Sequence, residues 1–333
     1  MNKPWKSQKS SQKSSRKGAN RKGSSSKKGR GRGRAGRTRF EAEPVAGERT
    51  DYVLLDSGDG EKLERFGDIL LARPAPGVIW PKRHPELWKT IRGRFTRDSK
   101  GRGEWDWRGG EPNPWLLEVE GLTFVLKPTD FGHLGIFPEQ AAQWSWLQDM
   151  SAEQPEVLNL FAYTGGSTLA AARAGARVCH VDAARGIVDW ARANAKRCGL
   201  EDAPVRWIVD DVVAFAARET RRDRRYRGLI LDPPSYGRGS KGEIWKIEDD
   251  LLTLFDTLRP LLDEDLAFVL LSCHTPGFTP RVLTRLVQEL VRRPGVIHAD
   301  EMLLEAEDPE DSLPIGAFAR WSKPMRDGET DQA

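Results

Sequence analysis

The chain is poor in the residues that staple or metallate a fold. Its 333 residues include three cysteines, Cys179, Cys198 and Cys273, with no paired spacing. That argues against a disulfide framework and against a zinc site, and it fits a reducing compartment. The five histidines are scattered and form no HExxH, so no metal is expected. No GxxxxGK[ST] occurs, which counts against an ATPase or GTPase. No GxGxxG follows a strand, which weakens an NAD-linked oxidoreductase. No window approaches the roughly 18 apolar residues of a spanning helix. The N-terminus is charged but has no apolar stretch after it, unlike a secretory signal, and it lacks the apolar stripe of an organellar presequence. A cytoplasmic protein without a membrane partner is expected; the sequence says nothing about oligomeric state.

Acidic residues are missing from one place. Residues 1–40 hold 15 Lys and Arg and no Asp or Glu, so the rest of the chain holds 38 basic against 49 acidic residues. The overall charge of +4 therefore hides a basic tail on an acidic body. The tail is built of Ser, Lys, Arg, Gly and Gln, includes GRGRGRAGR, and reads as disordered. Such a tail binds RNA by phosphate attraction and guanidinium stacking, or it serves only solubility.

Residues 51–128 read as a small α+β region. Tyr52–Leu55, Ile69–Arg73 and Val78–Trp80 look like short strands, and Trp115–Val119 and Leu122–Lys127 flank the hairpin signal Glu120-Gly121. Between them, Lys82–Arg108 interleaves nine Lys and Arg with Trp88, Trp105 and Trp107. That mixture suits single-stranded nucleic acid, while the competing reading makes each Trp part of a small core.

Residues 129–325 read as an α/β domain. From Pro155 onward, short apolar strands alternate with amphipathic helices, the mark of a parallel sheet with crossover helices. In such sheets ligands bind at the carboxyl ends of the strands. The first strand runs into Asn159, Phe161, Ala162, Tyr163, Thr164 and Gly165, a turn whose Gly165-Gly166 lets backbone approach a ligand. The second ends at Asp182-Ala183, where an acid can accept from ribose hydroxyls or cap the next helix. The third ends at Asp210-Asp211, placed to accept from an adenine amino group, to cap a helix, or to divide those roles. The fourth ends at Asp232-Pro233-Pro234-Ser235-Tyr236. Two prolines fix the backbone there, and a rigid polar corner beside an aromatic suits a flat base held near a reacting group.

The runs VLNLFAYTGG, VDA, VDD and LDPPSYG, in that order and spacing, resemble the class I methyltransferases of bacterial 23S ribosomal RNA, the cytosine-C5 enzymes and their relatives. The likeness covers roughly Phe131–Trp321 and includes Gly135–Gln140, which matches a G-x-F-x-x-Q segment that folds over the cofactor. It implies a Rossmann-like, seven-stranded methyltransferase sheet, S-adenosylmethionine as methyl donor, and an RNA acceptor. It also implies cofactor contacts from Phe161, Tyr163, Gly165 and Gln140, with Asp182 on the ribose, Asp211 or Asp210 on the adenine and Asp232 on the amino-acid end. The family's usual N-terminal RNA-binding module is not recognisable here.

The fifth strand ends at Ser272-Cys273-His274-Thr275-Pro276, similar to the S-C-N-P segment of pyrimidine-C5 methyltransferases, with His274 in place of the amide. A thiolate adding to C6 would activate C5, with Asp232 or His274 taking the C5 proton; the alternative is a half-buried strand thiol. The candidate catalytic set is thus Asp232, Pro233, Pro234, Tyr236 and Cys273. The rival functions are methylation of a base nitrogen or a protein side chain, and nucleic-acid binding on an inactive scaffold. The Arg221–Arg227 run precedes the fourth strand and reads as a solvated helix end, and His133 as a structural hydrogen-bonder.

Overall fold

The computed structural model describes residues 47–48, 51–98, 103–238, 242 and 244–324. The expected basic tail, residues 1–40, lies outside the described residues. Seven strands form the main sheet: β8 (Glu156–Leu160), β9 (Arg177–Asp182), β10 (Val205–Val209), β11 (Gly228–Leu231), β14 (Phe268–Cys273), β15 (Val296–Leu304) and β16 (Leu313–Ser322). Their order is β10-β9-β8-β11-β14-β16-β15. The first five are parallel, and β16 runs antiparallel to both neighbours. The chain therefore winds outward from β8 to β10, then restarts at β11 on β8's other side. The crevice at such a reversal is where open α/β sheets bind ligands.

Period-two alternation sends successive side chains into two apolar layers. Leu158, Leu160, Val269, Leu271 and Cys273 pack in one layer with Phe215 of α4 (Val212–Arg221), Leu254 of α5 (Ile247–Leu258) and Val287 of α6 (Pro280–Val291). Val157, Phe268 and Leu270 face the other layer, with Trp144 of α1 (Ala141–Met150), Leu169 of α2 (Gly166–Arg173) and Ala195 of α3 (Arg185–Arg197). The hairpin of β6 (Trp115–Val119) and β7 (Leu122–Leu126), expected from Glu120-Gly121, joins this second layer through Trp115, Leu117 and Phe124.

The N-terminal part is a five-stranded sheet in the order β1 (Tyr52–Gly58), β2 (Glu61–Phe66), β3 (Ile69–Pro74), β4 (Gly93–Arg97) and β5 (Gly103–Trp107). Strand β2 carries EKLERF, whose charges hide its strand character; they are accommodated because Glu64, with no exposed surface, is paired with Arg73 at 2.7 Å and Lys62 at 3.2 Å. Val78–Trp80 is not a strand: Val78 bonds back to Ala75 in a turn, and Pro81 follows. The three tryptophans of 82–108 all make contacts within the fold, Trp105 and Trp107 remaining half-buried. Trp88 is buried and donates to Asp56 at 2.7 Å, Trp105 donates to the carbonyl of Thr129, and Trp105 and Trp107 stack at 4.7 Å.

Candidate active site

The carboxyl ends of β8, β9, β10, β11 and β14 open into one cavity of about 630 Å³, inside the range of about 300–1,000 Å³ usual for small-molecule sites. The sheet supplies Phe161, Tyr163, Asp182, Ala183, Asp211, Asp232, Pro233, Pro234 and His274 to its lining; the N-terminal region adds Lys62, Arg73, Phe95 and Arg97. A smaller recess beside it is lined by Gln140, Asn159, Ala162, Thr164 and Trp144.

The turn after β8 is bent hard. Phe161 (φ 57°), Tyr163 (φ 49°) and Gly165 (φ 96°) all adopt the left-handed region, which is costly for the two aromatics. The bend aims both aromatic rings into the cavity and points the Tyr163 amide at Asp182 Oδ2, 3.1 Å away. Asp182 Oδ1 takes the Ala184 amide at 2.9 Å. Burial raises the Asp182 carboxyl above its usual range despite these two amides, so further donors would be welcome there. Asn159 lies beneath the floor: its amide donates to Thr168 Oγ1 at 2.8 Å, which in turn meets His180 Nδ1. Thr164 Oγ1 donates to the Gly135 carbonyl and ties the turn to the 135–140 segment.

Asp210 and Asp211 divide their work. Asp211 caps α4 by accepting the Ala214 amide at 2.8 Å and also lines the cavity; Asp210 is outside the lining, paired with Arg218.

At β11, Asp232 accepts from Gln140 Nε2 on Oδ2 at 2.7 Å and from Ser272 Oγ on Oδ1 at 2.8 Å. His274 Nδ1 lies 3.8 Å from the same Oδ1, and its Nε2 is 2.8 Å from Glu139 Oε1. Burial would lower the imidazole pKa, but the Glu139 hydrogen bond and the charge of Asp232 overcome it and raise it to about 9. Burial likewise opposes ionisation of Glu139, and the His274 contact holds its carboxyl below the usual range nonetheless. At neutral pH this is an imidazolium between two carboxylates, unsuited to taking a proton. Ser235 bonds Thr275 Oγ1 at 2.6 Å, and the strands β12 (Tyr236–Arg238) and β13 (Ile244–Lys246) bring Trp245 back to donate to the Pro234 carbonyl at 2.7 Å. Tyr236 is half-exposed on β12 and outside the lining.

Cys273 is turned the other way. Ser272 faces Asp232, so the next side chain on the strand faces the α5–α6 layer. The thiol is 1 % exposed, lies outside the lining, and is pushed up by burial despite its contacts with Thr275. Sequence reasoning missed Glu139, Trp245, Lys62 and Arg73. Glu139 sits inside the 135–140 segment already singled out; the other three have no sequence signature. Three arginines of the Arg221–Arg227 run are engaged in ion pairs: Arg222 with Glu219, Arg225 with Asp223, and Arg227 with Asp265.

The sequence model of the S-adenosylmethionine-dependent methyltransferases matches residues 83–314. The chain belongs to that family. S-adenosylmethionine is thus the cofactor of this methyltransferase. A crystal structure of a SAM-dependent methyltransferase from Agrobacterium tumefaciens is 35% identical, with a TM-score of 0.77 over 84% of this chain and 94% of that one. A Streptococcus mutans methyltransferase, 20% identical with a TM-score of 0.65 over 83% of this chain and 76% of that one, shares the fold. Among curated relatives, the ribosomal RNA large subunit methyltransferase K/L of Magnetococcus marinus is 28% identical over 63% of this chain and 28% of its own length. The ribosomal RNA large subunit methyltransferase K of Neisseria meningitidis is 26% identical over 62% and 61%. The methyltransferase described here therefore spans under a third of the K/L protein's length. No helix among the described residues is long and apolar enough to cross a membrane, and none of their His, Cys, Asp and Glu residues cluster as a metal site.

Proposed function

We propose that this methyltransferase acts in the cytoplasm on large-subunit ribosomal RNA, and that its acceptor atom is a nitrogen of a base. The observation that carries the reading is the shared cavity, in which the cofactor-type turn and Asp182 adjoin the Asp232-Pro233-Pro234 corner. The RNA acceptor draws its support from the curated relatives' names.

The residues fit the cofactor. Asp182 is a half-buried acceptor with room for further donors, such as ribose hydroxyls, and Asp211 and Ala183 line the same cavity. Phe161, Ala162, Tyr163 and Thr164 form the cradle, with Gly165 turning the backbone, Asn159 holding the floor and Gln140 closing it over Asp232. When bound, S-adenosylmethionine supplies an electrophilic methyl group. Asp232, fixed by Gln140 and Ser272, keeps lone pairs free to accept from a base amino group and orient its nitrogen. Pro233 and Pro234 hold that corner rigid, so the protein's contribution is alignment.

A pyrimidine C5 acceptor would need a thiolate in the cavity. Cys273 is buried with its thiol pKa raised, and His274, already protonated, is a poor base for the C5 proton. The Cys273→Ala enzyme should therefore keep turnover within about two-fold and lose roughly 1 kcal/mol of stability from the emptied volume. Abolished turnover with donor binding intact would restore the C5 reading. Mass spectrometry of rRNA nucleosides from cells with and without the gene tests acceptor class and atom together. Identical nucleoside profiles would remove ribosomal RNA as the acceptor.

A further inference from the structure

The cavity has a second wall that the cofactor-type residues do not explain. Phe131 lines it and is 70% exposed, so its ring is not part of the core and stands at the cavity's edge. The loop is not slack. Thr129 and His133 close it through paired backbone and hydroxyl bonds of 2.9–3.1 Å, and the Gly132 amide bonds the Thr129 carbonyl. Two guanidinium groups from the N-terminal sheet clamp its tip: Arg97 donates to the Phe131 carbonyl at 2.9 Å, and Arg73 to the Gly132 carbonyl at 3.0 Å. Gly132 has φ 80° and lies flat on Phe95, where a Cβ would come within 2.5 Å of the ring. The loop is thus braced from behind, and what the bracing presents to the cavity is one bare aromatic face.

Around that face lie cations. Arg97 is exposed, lines the cavity and spends one nitrogen on the loop, leaving other donors of its fork for a ligand. Lys62 lines the same wall from deeper in. An exposed ring beside an arginine fork matches a nucleotide, whose base stacks and whose phosphate takes the fork. It suits an unpaired base in particular, since a duplex offers no free base face at a cavity mouth.

We propose that Phe131 is the stacking platform for the target base, with Arg97 taking the adjoining phosphate, so that the acceptor is an unpaired nucleotide delivered between the N-terminal sheet and the Asp232-Pro233-Pro234 corner. This rests on the RNA reading given above. A preformed platform costs little entropy on binding, so stacking raises affinity directly.

The test uses the full-length enzyme with deproteinised large-subunit rRNA from cells lacking the gene, and reads methyl incorporation, kcat and KM. Phe131→Ala should lower kcat/KM roughly 10- to 100-fold, mainly through KM, consistent with the loss of one stacked base. Phe131→Trp should restore it and Phe131→Leu should not, because leucine keeps apolar bulk but has no π face. Arg97→Ala should flatten the salt dependence of KM. Calorimetric titration with S-adenosylmethionine should be unchanged in every variant. Unchanged kcat/KM in Phe131→Ala, or full activity in Phe131→Leu, would overturn the platform and leave the RNA reading standing. A wild-type enzyme that methylates no site in this RNA would overturn both.

Discussion

Replacing His274 by Gln probes the charge held between the two halves of the site. In the folded protein the imidazole pKa is raised to about 9, against an ordinary 6.5. The groups facing it are Glu139, Asp232 and the cation of Lys62, with the Phe137 ring packed against it at 5.4 Å. A raised pKa means that the folded state binds the proton more tightly than the unfolded chain. The resulting stabilisation is complete below pH 6.5, falls as pH rises, and is gone above about 9. Full linkage gives about 3 kcal/mol at 1.36 kcal/mol per unit, and with 31% of the side chain open to solvent we expect about 2 kcal/mol. The assay is urea unfolding of wild type and His274→Gln across that window. The wild-type advantage should shrink by this amount between slightly acidic and strongly alkaline pH. An NMR titration of the ring, assigned by its loss in the variant, should give a midpoint near 9. A gap that does not change with pH, or a midpoint near 6.5, would refute the imidazolium bridge.

Asp182→Asn should weaken S-adenosylmethionine binding about 10- to 100-fold by calorimetry, the loss for charge-assisted bonds to two hydroxyls; unaltered affinity would remove Asp182 from the cofactor site. Arg73→Met should cost about 3 kcal/mol or more in chemical denaturation, because Glu64 stays buried with Lys62 as its remaining ion-pair partner. Adding Glu64→Leu together with Lys62→Met to that variant should recover most of the loss, because no buried charge is then left unpaired. A single variant as stable as wild type would show that the pair is not coupled.

The legible parts of the molecule were those where burial leaves a one-dimensional trace. Parallel strands covered on both faces are apolar runs, so the carboxyl ends of β8, β9, β11 and β14 were each placed to within a residue or two, as was that of the half-exposed edge strand β10, and these polar ends mark one edge of the sheet. Strand β2 escaped because its buried charges look like a surface segment until Arg73 is seen beside Glu64. The same limit applied to the site. Asp182, Asp211 and Asp232 could be read because each ends a strand. Glu139 and His274 are 135 residues apart, and no spacing rule joins them. The side on which Cys273 faces was also hidden: a shift of one residue along the strand decides between cavity and core.

The N-terminal sheet is joined to the far end of the chain. The Leu54 amide bonds the Glu305 carbonyl, and Leu54 and Val78 share a small apolar cluster with Leu304 and Leu313. The wall that carries Arg73, Arg97 and the Phe131 brace is therefore fastened by residues made some 250 positions later. During synthesis that wall waits with part of its apolar surface uncovered until β15 and β16 exist, and closing so long a loop is slow. A chain halted before residue 304 would lack that fastening, and it would lack β16 as well, which pairs with β14 along the cavity's edge and brings Ile315 to the lining.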